Sequence, residues 1–441
     1  MRFRSLLLLS VSLLRLVPSA GADGTLDPSF GNGGLVTTAF PGQSSSDAAM
    51  SLVMLPDGRA VAAGSTNENL SLTEMAVARY LTTGALDTTF DGDGLVTLFF
   101  IPPPGGFDII TQAQTVLLQP DGRLVLVGYF FTTSTFFALA RLNADGSLDA
   151  SFGTGGKVIT AAPGSAVAVA GLLQPDGRIV VVGSTTGNPS VALARYNVDG
   201  SLDTTFGGTG VFLLPMAQPF EPRDIALQPD GKILIAGRYT APSGSWDFGL
   251  LRLLSNGTLD ASFDGDGIVS TDFGGYEGAY SVIVVPDGRL VLAGSRSAVM
   301  FGVTDFALAR YLTDGALDTT FGTGGLATGD SGASELPDQL IRLDNGNLLV
   351  GGFTNDGGGN ADFLLARFLP DGALDTSFGT AGFVRTDFAA GSLDECHAVA
   401  IAGPDLILTA GRTGPPFLPA DFGLARYIAT TPVELLAFAV E

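Results

Sequence analysis

The chain has 441 residues, including 61 Gly and 24 Pro, and carries 44 acids against 22 bases for a net charge of −22. So much Gly and Pro excludes a helical protein, and a hydrophobic share of 46% excludes a disordered one. The negative charge removes the main source of affinity for nucleic acid or anionic lipid. Of the acids 36 are Asp and 8 Glu, and of the bases 20 are Arg and 2 Lys. Turn formers therefore outnumber the residues of solvated helix surfaces, and the composition favours short strands joined by tight turns.

Residues 1–22 read as a secretory signal peptide. Arg2 and Arg4 precede an apolar stretch from Ser5 to Val17, and Ala20-Gly21-Ala22 gives an A-x-A cleavage signal. The stretch is shorter than the roughly 20 residues a membrane span needs and is interrupted by Arg15. The expectation is an exported protein, secreted, periplasmic or at the cell surface, with no membrane span in the mature chain.

Residues 23–428 are organised by a repeat of about 58 residues. One anchor is L-D-x-x-F, which pairs Asp27 with Phe30, Asp87 with Phe90, Asp149 with Phe152, Asp203 with Phe206, Asp260 with Phe263, Asp318 with Phe321 and Asp375 with Phe378. A second is the turn P-D-G, first at Pro56-Asp57-Gly58 and weakening to Asp344-Asn345-Gly346 and Gly403-Pro404-Asp405. A third is the Arg of a segment like A-L-A-R-Y: Arg79, Arg141, Arg195, Arg252, Arg310, Arg367 and Arg426.

Each unit supplies four strands, called a to d here. In one unit a spans 279–285, b 290–294 and c 306–311, and d is the apolar run after L-D-x-x-F-G-x-G-G. Tight turns join a to b and c to d. Such a unit cannot bury both faces alone, so neighbours must stack on it. The sequence predicts an all-β, seven-bladed β-propeller of four-stranded antiparallel blades, ring closed by the N-terminal strand; an open β-solenoid is the alternative. The chain opens with a d strand (residues 26–38) that has no a, b or c before it. A C-terminal tail, residues 429–441, competes for the same place, because Glu434 follows Arg426 by the eight residues that separate Arg from Asp in the complete linkers.

Segments such as 307–325, A-L-A-R-Y-L-T-D-G-A-L-D-T-T-F-G-T-G-G, and 119–128, Q-P-D-G-R-L-V-L-V-G, resemble the bacterial delta-60 repeat. The resemblance covers about residues 24–427. It implies a bacterial, usually exported, propeller-like protein and brings no catalytic residues with it.

Residues that recur in every unit point to structure. The repeated Phe is read as core between units, and the Arg and Asp as a pair tying strand c to the following turn, since either charge buried alone would cost several kcal/mol. Asp91 and Asp93, and Asp264 and Asp266, lie in Asp-Gly-Asp-Gly turns and are the weak candidates for calcium; the next residues, Leu95 and Ile268, do not continue an EF-hand. No other cofactor is indicated. Cys396 and His397 are the only residues of their types. As neighbours on a strand they point to opposite faces and cannot act as nucleophile and base. H-E-x-x-H, G-x-S-x-G and zinc-type Cys spacings are absent from the sequence.

Length variation falls in the b-to-c and d-to-a loops, which share one face. Scaffold-held variable loops concentrate binding residues. Phe107, Asp108, Tyr239, Trp246, Asp247, Tyr276 and Glu277 are the candidate ligand contacts. The expected function is a secreted, monomeric, non-catalytic propeller that binds a protein or glycan through this face. An extracellular polymer lyase or hydrolase with its site at the channel mouth, and a structural envelope or adhesion component, are the alternatives.

Overall fold

A computed structural model describes residues 23–41, 46–69, 72–100, 109–185, 190–355, 360–415 and 419–429 of the chain. In the unit used above, strand a is Tyr276–Val284, b Leu290–Ser297, c Asp305–Tyr311 and d Leu326–Gly329, paired antiparallel in chain order. The a-to-b turn shows why P-D-G recurs. Asp287 accepts the Arg289 amide through Oδ1 at 3.1 Å, and Gly288 takes φ 86°, which side-chain-bearing residues resist. Strand c is buried along its whole length in Ala361–Phe368, because neighbouring units cover both of its faces. Strand d, at the outer edge, alternates buried and accessible residues, as in Ile268–Thr271.

The core lies between units. One cluster joins Phe248, Leu250 and Phe263 of one unit to Ala279, Leu292 and Ala307 of the next. Adjoining clusters repeat this arrangement along the chain.

The expectation of seven separate four-stranded blades is corrected by the strand pairing. Five sheets have four strands each, but residues 48–161 form one eight-stranded sheet. Its halves are joined where Leu72 and Thr73, at the start of a c strand, pair in parallel with Ile109 and Ile110, at the start of the next a strand. At other boundaries the same junction is shorter, as in the Glu335 N–H to Thr304 O bond at 2.9 Å or the isolated parallel bridge of Ala361 with Leu393, where Asp394 N–H meets Ala361 O at 2.8 Å. Where both strands begin early, that bond lengthens into a ladder and two units merge. The N-terminal strand Leu35–Thr38 pairs antiparallel with Asp421–Ile428 as the outer strand of its sheet. Residues 430–441, most of the competing tail, lie outside the described residues, as does the 1–22 segment.

One guanidinium per unit organises the turns on the face opposite the variable loops. The Nε of Arg79, Arg141, Arg195, Arg252, Arg310, Arg367 and Arg426 lies 2.7–2.8 Å from the aspartate of its L-D-x-x-F motif. Its plane stacks 4.2–4.6 Å from the centre of the motif's Phe ring. Its Nη1 donates to a carbonyl of the next unit's c-to-d turn, as in Arg141 to Val198 O at 2.5 Å and Arg195 to Ser255 O at 2.6 Å. Arg367 instead meets the Asp23 carboxylate, with Nη1 to Oδ1 at 3.0 Å. A second cation, the residue after P-D-G, reaches the same aspartate, as Arg59 does to Asp87 at 2.6 Å and Lys232 to Asp260 at 3.3 Å.

The Ser151 hydroxyl, followed by its amide and Arg141, holds the Asp149 carboxyl at about 2 despite burial. At Asp27, Asp87, Asp203, Asp260, Asp318 and Asp375 burial pushes the carboxyl up, but hydroxyl, amide and cationic partners together outweigh it, so all six stay below the usual range. Each depressed pKa means stability that is complete above the unfolded value of about 3.9 and is lost as pH falls through the folded value. Thermal melts between pH 5 and 2 (on the order of the window this linkage sets) are expected to show a steep loss of stability. Asp149→Asn should lower Tm at neutral pH and flatten the acid limb; an acid limb parallel to that of the parent would contradict the linkage.

Candidate functional site

Two places bring polar side chains together. The first is the central channel. In every inner strand the a-to-b ladder slips by one residue at mid-strand, and the bulged residues are Met50, Gln114, Val169, Arg223, Tyr280, Asp338 and His397. A bulge re-aims a side chain, and these residues line one cavity of about 270 Å³. The residue after the bulge ties one unit to the next. Asp224 accepts the Ser281 hydroxyl and the Val282 amide, each at 2.9 Å, and Gln339 accepts the Val399 amide at 2.6 Å. Burial pushes the Asp224 carboxyl above its ordinary value in spite of these bonds.

Within the channel, His397 Nδ1 and Asp338 Oδ2 share a hydrogen bond of 2.8 Å, and His397 Nε2 lies 3.7 Å from Glu395 Oε2. The Arg223 guanidinium sits 5.3 Å from the centre of the Tyr280 ring. Cys396 packs on the other side of its strand, in the core with Phe363 and Val399. Burial raises its thiol well above the ordinary value, which keeps it from forming a thiolate.

The second place is a unit boundary on the variable-loop face. Trp246 and Asp247 open the c strand Trp246–Leu253, and Tyr276 and Glu277 open the next unit's a strand. Tyr239 lies on strand Ile233–Thr240, directly opposite Asp247 in the ladder. Residues 239–247 thus form the end of a hairpin, because both strands extend past the repeat's usual end. The Trp246 ring lies 4.0 Å from the Arg238 guanidinium and meets Tyr276 and Phe301 edge-on, at centroid distances of 5.6 and 5.9 Å. Phe301 is 89% exposed, and Val299, Met300 and Val303 beside it are also exposed.

Next to these rings, carboxylate oxygens of Asp247, Asp272 and Glu277 lie within 4.8 Å of one another. Glu277 is buried, and neither of its oxygens has a hydrogen-bond partner of good geometry. Burial, reinforced by the charge of Asp272, pushes its carboxyl up to about 7; the nearby Phe273 and Gly275 amides oppose this only in part. Asp247 is raised for the same first reason.

The structure therefore gathers Tyr239, Trp246, Asp247, Tyr276 and Glu277 at one boundary, while Phe107 and Asp108 lie outside the described residues. Asp91 and Asp264 have left-handed φ values of 51° and 48°, at a place where other units use Gly, and their amides donate to Asp145 O and Asp314 O of the next unit. Asp93 and Asp266 accept the amides of Leu95 and Ile268, each at 2.9 Å. All four serve the turn.

Sequence reasoning missed Asp272, Arg238 and Phe301. A signal for the acids existed. The dipeptide D-F opens strand c at Asp247-Phe248, Asp305-Phe306, Asp362-Phe363 and Asp421-Phe422, and an acid follows strand d at Asp272, Asp330 and Asp387.

A family profile described as "Domain of unknown function (DUF5122) beta-propeller" matches residues 55–90, 119–152, 174–206, 228–263, 286–321 and 343–378, so the chain is a repeat-built β-propeller. No curated protein matches the chain. Among solved structures, a protein of unknown function from Dyadobacter fermentans is 11% identical, with TM-score 0.43, covering 90% of this chain and 100% of its own. The polysaccharide lyase Uly1 is 11% identical, with TM-score 0.47 and coverages of 87% and 90%. An α-L-arabinanase from Penicillium chrysogenum, solved with arabinobiose, is 11% identical, with TM-score 0.41 and coverages of 86% and 93%.

The channel ties can be tested directly. Asp224→Ala leaves the Val282 amide without its partner and is expected to cost about 1–3 kcal/mol in denaturant unfolding. An unchanged midpoint would show that Asp224 holds nothing across the boundary.

Proposed function

We propose that this protein is an exported, non-catalytic binding propeller that holds a glycan on its variable-loop face, at the boundary between residues 238–253 and 272–303. The observation that carries this reading is the cluster in which Tyr276 and Phe301 meet Trp246 edge-on, with Phe301 89% exposed and the other two rings half-buried. A sugar ring lays its C–H face on such a platform and turns its hydroxyls to polar groups at the rim. Here the rim offers the Arg238 guanidinium, stacked on Trp246, and the exposed Asp272 carboxylate.

The exposed apolar tip Val299, Met300 and Val303 favours a second reading, a protein ligand, because contiguous exposed apolar side chains mark protein contacts. The carboxylates favour holding over hydrolysis. One oxygen from each of Asp247, Asp272 and Glu277 lies within 4.8 Å of the others, an arrangement that lets the three converge on one ion. Both Glu277 oxygens are buried, away from any leaving group they would have to protonate.

The test is a glycan array run beside a pull-down from secreted protein, with the parent, Trp246→Ala and Phe301→Ser. A glycan hit lost in both variants while their melting curves stay near the parent's supports the reading. A hit retained by both would overturn it, and a hit confined to the pull-down would transfer the face to a protein ligand.

A further inference from the structure

We propose that Asp247, Asp272 and Glu277 form a binding site for a divalent cation of the calcium class, set between two units of the propeller beside the aromatic platform. The three residues come from the start of a c strand, the following d-to-a loop and the start of the next a strand, so an ion held there clamps one unit to its neighbour. Their donor atoms are all carboxylate oxygens, the ligands of hard cations. One oxygen from each residue lies within 4.8 Å of the others, close enough for a single ion to touch all three, since calcium takes its oxygens at about 2.3–2.6 Å and tolerates irregular geometry.

Glu277 supplies the independent sign of a ligand. It is 2% exposed, and both of its oxygens are buried without a hydrogen-bond partner of good geometry, the Phe273 and Gly275 amides offsetting its burial only in part. Among the described residues, none of the three acids is ion-paired with Arg or Lys. The neighbouring cation Arg238 is committed to Glu221 and to the Trp246 ring.

The same junction elsewhere in the chain shows what the fold does when it compensates a buried acid itself. At Asp362, Asp387 and Asp394, Arg385 bonds Asp362, and Asp394 accepts the Thr413 hydroxyl at 2.5 Å, the Ser392 hydroxyl at 2.8 Å and the Phe388 amide at 2.8 Å. Asp47 accepts the Thr66 hydroxyl at 2.6 Å and the Phe40 amide at 2.9 Å. At Asp305, Asp330 and Glu335 the compensation is partial. Ser331 donates its amide and hydroxyl to Glu335 Oε1 at 2.7 and 2.5 Å, while Oε2 has no partner. Among Asp47, Glu277, Glu335, Asp362 and Asp394, Glu277 is the one with neither oxygen in a hydrogen bond of good geometry, and an uncompensated buried charge costs several kcal/mol. A bound cation supplies what Arg385 and the hydroxyls supply elsewhere.

Trp246 is the single tryptophan of the chain and adjoins Asp247, so terbium(III), a calcium surrogate, is read out at this site by emission sensitised through tryptophan. The mature chain, stripped with chelator, should show sensitised emission on terbium addition, displaced by calcium at lower concentration than by magnesium. Asp272→Asn, at an exposed position where the amide oxygen can still accept the Gly274 N–H, and Glu277→Gln should each weaken terbium binding at least about tenfold, whereas Asp266→Asn should not. Phe301→Ser should keep the cation while losing the glycan, so the two readings fail separately. Absent emission in the parent, or equal affinity in Asp272→Asn and Glu277→Gln, would overturn the site; displacement by magnesium as readily as by calcium would overturn the calcium assignment.

Discussion

Each unit depends on one guanidinium that touches four things at once. Arg195 bonds Asp203 at 2.7 Å, stacks on Phe206 at 4.5 Å, reaches the Thr205 hydroxyl at 3.3 Å and donates to Ser255 O of the next unit at 2.6 Å. Only a planar, permanently charged fork can do this, which is why the position is Arg in every unit of a chain otherwise poor in cations. Burying this pair is tolerable because Asp203 also accepts the Thr205 amide and hydroxyl, while the other guanidinium nitrogens reach Thr205 and Ser255 O. Unit-to-unit order on this face follows from repeated contacts, and the composition follows with it: much of the excess of Asp over Glu is turn and pin chemistry.

The opposite face is built by departures from the repeat. Strands lengthen past their usual ends at 239–247, where the hairpin carries Trp246 outward, and the tip at 299–303 projects Phe301 against it. Between the faces, the channel is lined by bulged residues whose identities change from unit to unit while the bonds beside them persist, as with Asp224 and Gln339. The molecule therefore separates constant residues that hold neighbours together from variable ones that meet solvent. At the 247–277 boundary the two roles meet, because the acids there both join units and lie beside exposed rings.

What was legible in the sequence follows the same division. Short-range chemistry was readable: P-D-G turns, the position of each b strand and the eight-residue spacing of Arg and Asp all depend on neighbours a few residues away. The merger of two units into one eight-stranded sheet was not, because the pairing of Leu72 with Ile109 depends on how two strand ends meet across a long insertion. Trp246, Asp247, Tyr276 and Glu277 could be selected individually as departures from the repeat. Their convergence required the register of three strands in two units. Phe301 carried no distinguishing signal, and Asp272 only the recurrence of an acid after strand d. The D-F dipeptide, repeated in four units, was open to reading, yet its meaning, an acid at these boundaries compensated to different degrees, needs Arg385 and Thr413 in place to be seen.

The central claim is that the fork geometry of the repeated arginine, and not its charge alone, holds neighbouring units together. Arg195→Lys tests it most directly, since it keeps the charge beside Asp203 but removes the simultaneous contacts to Phe206, Thr205 and Ser255 O. Measured by reversible denaturant unfolding, the account expects a loss of about 2–4 kcal/mol, close to that of breaking a buried pair outright. Stability within about 0.5 kcal/mol of the parent, the range of an ordinary surface change, would contradict it.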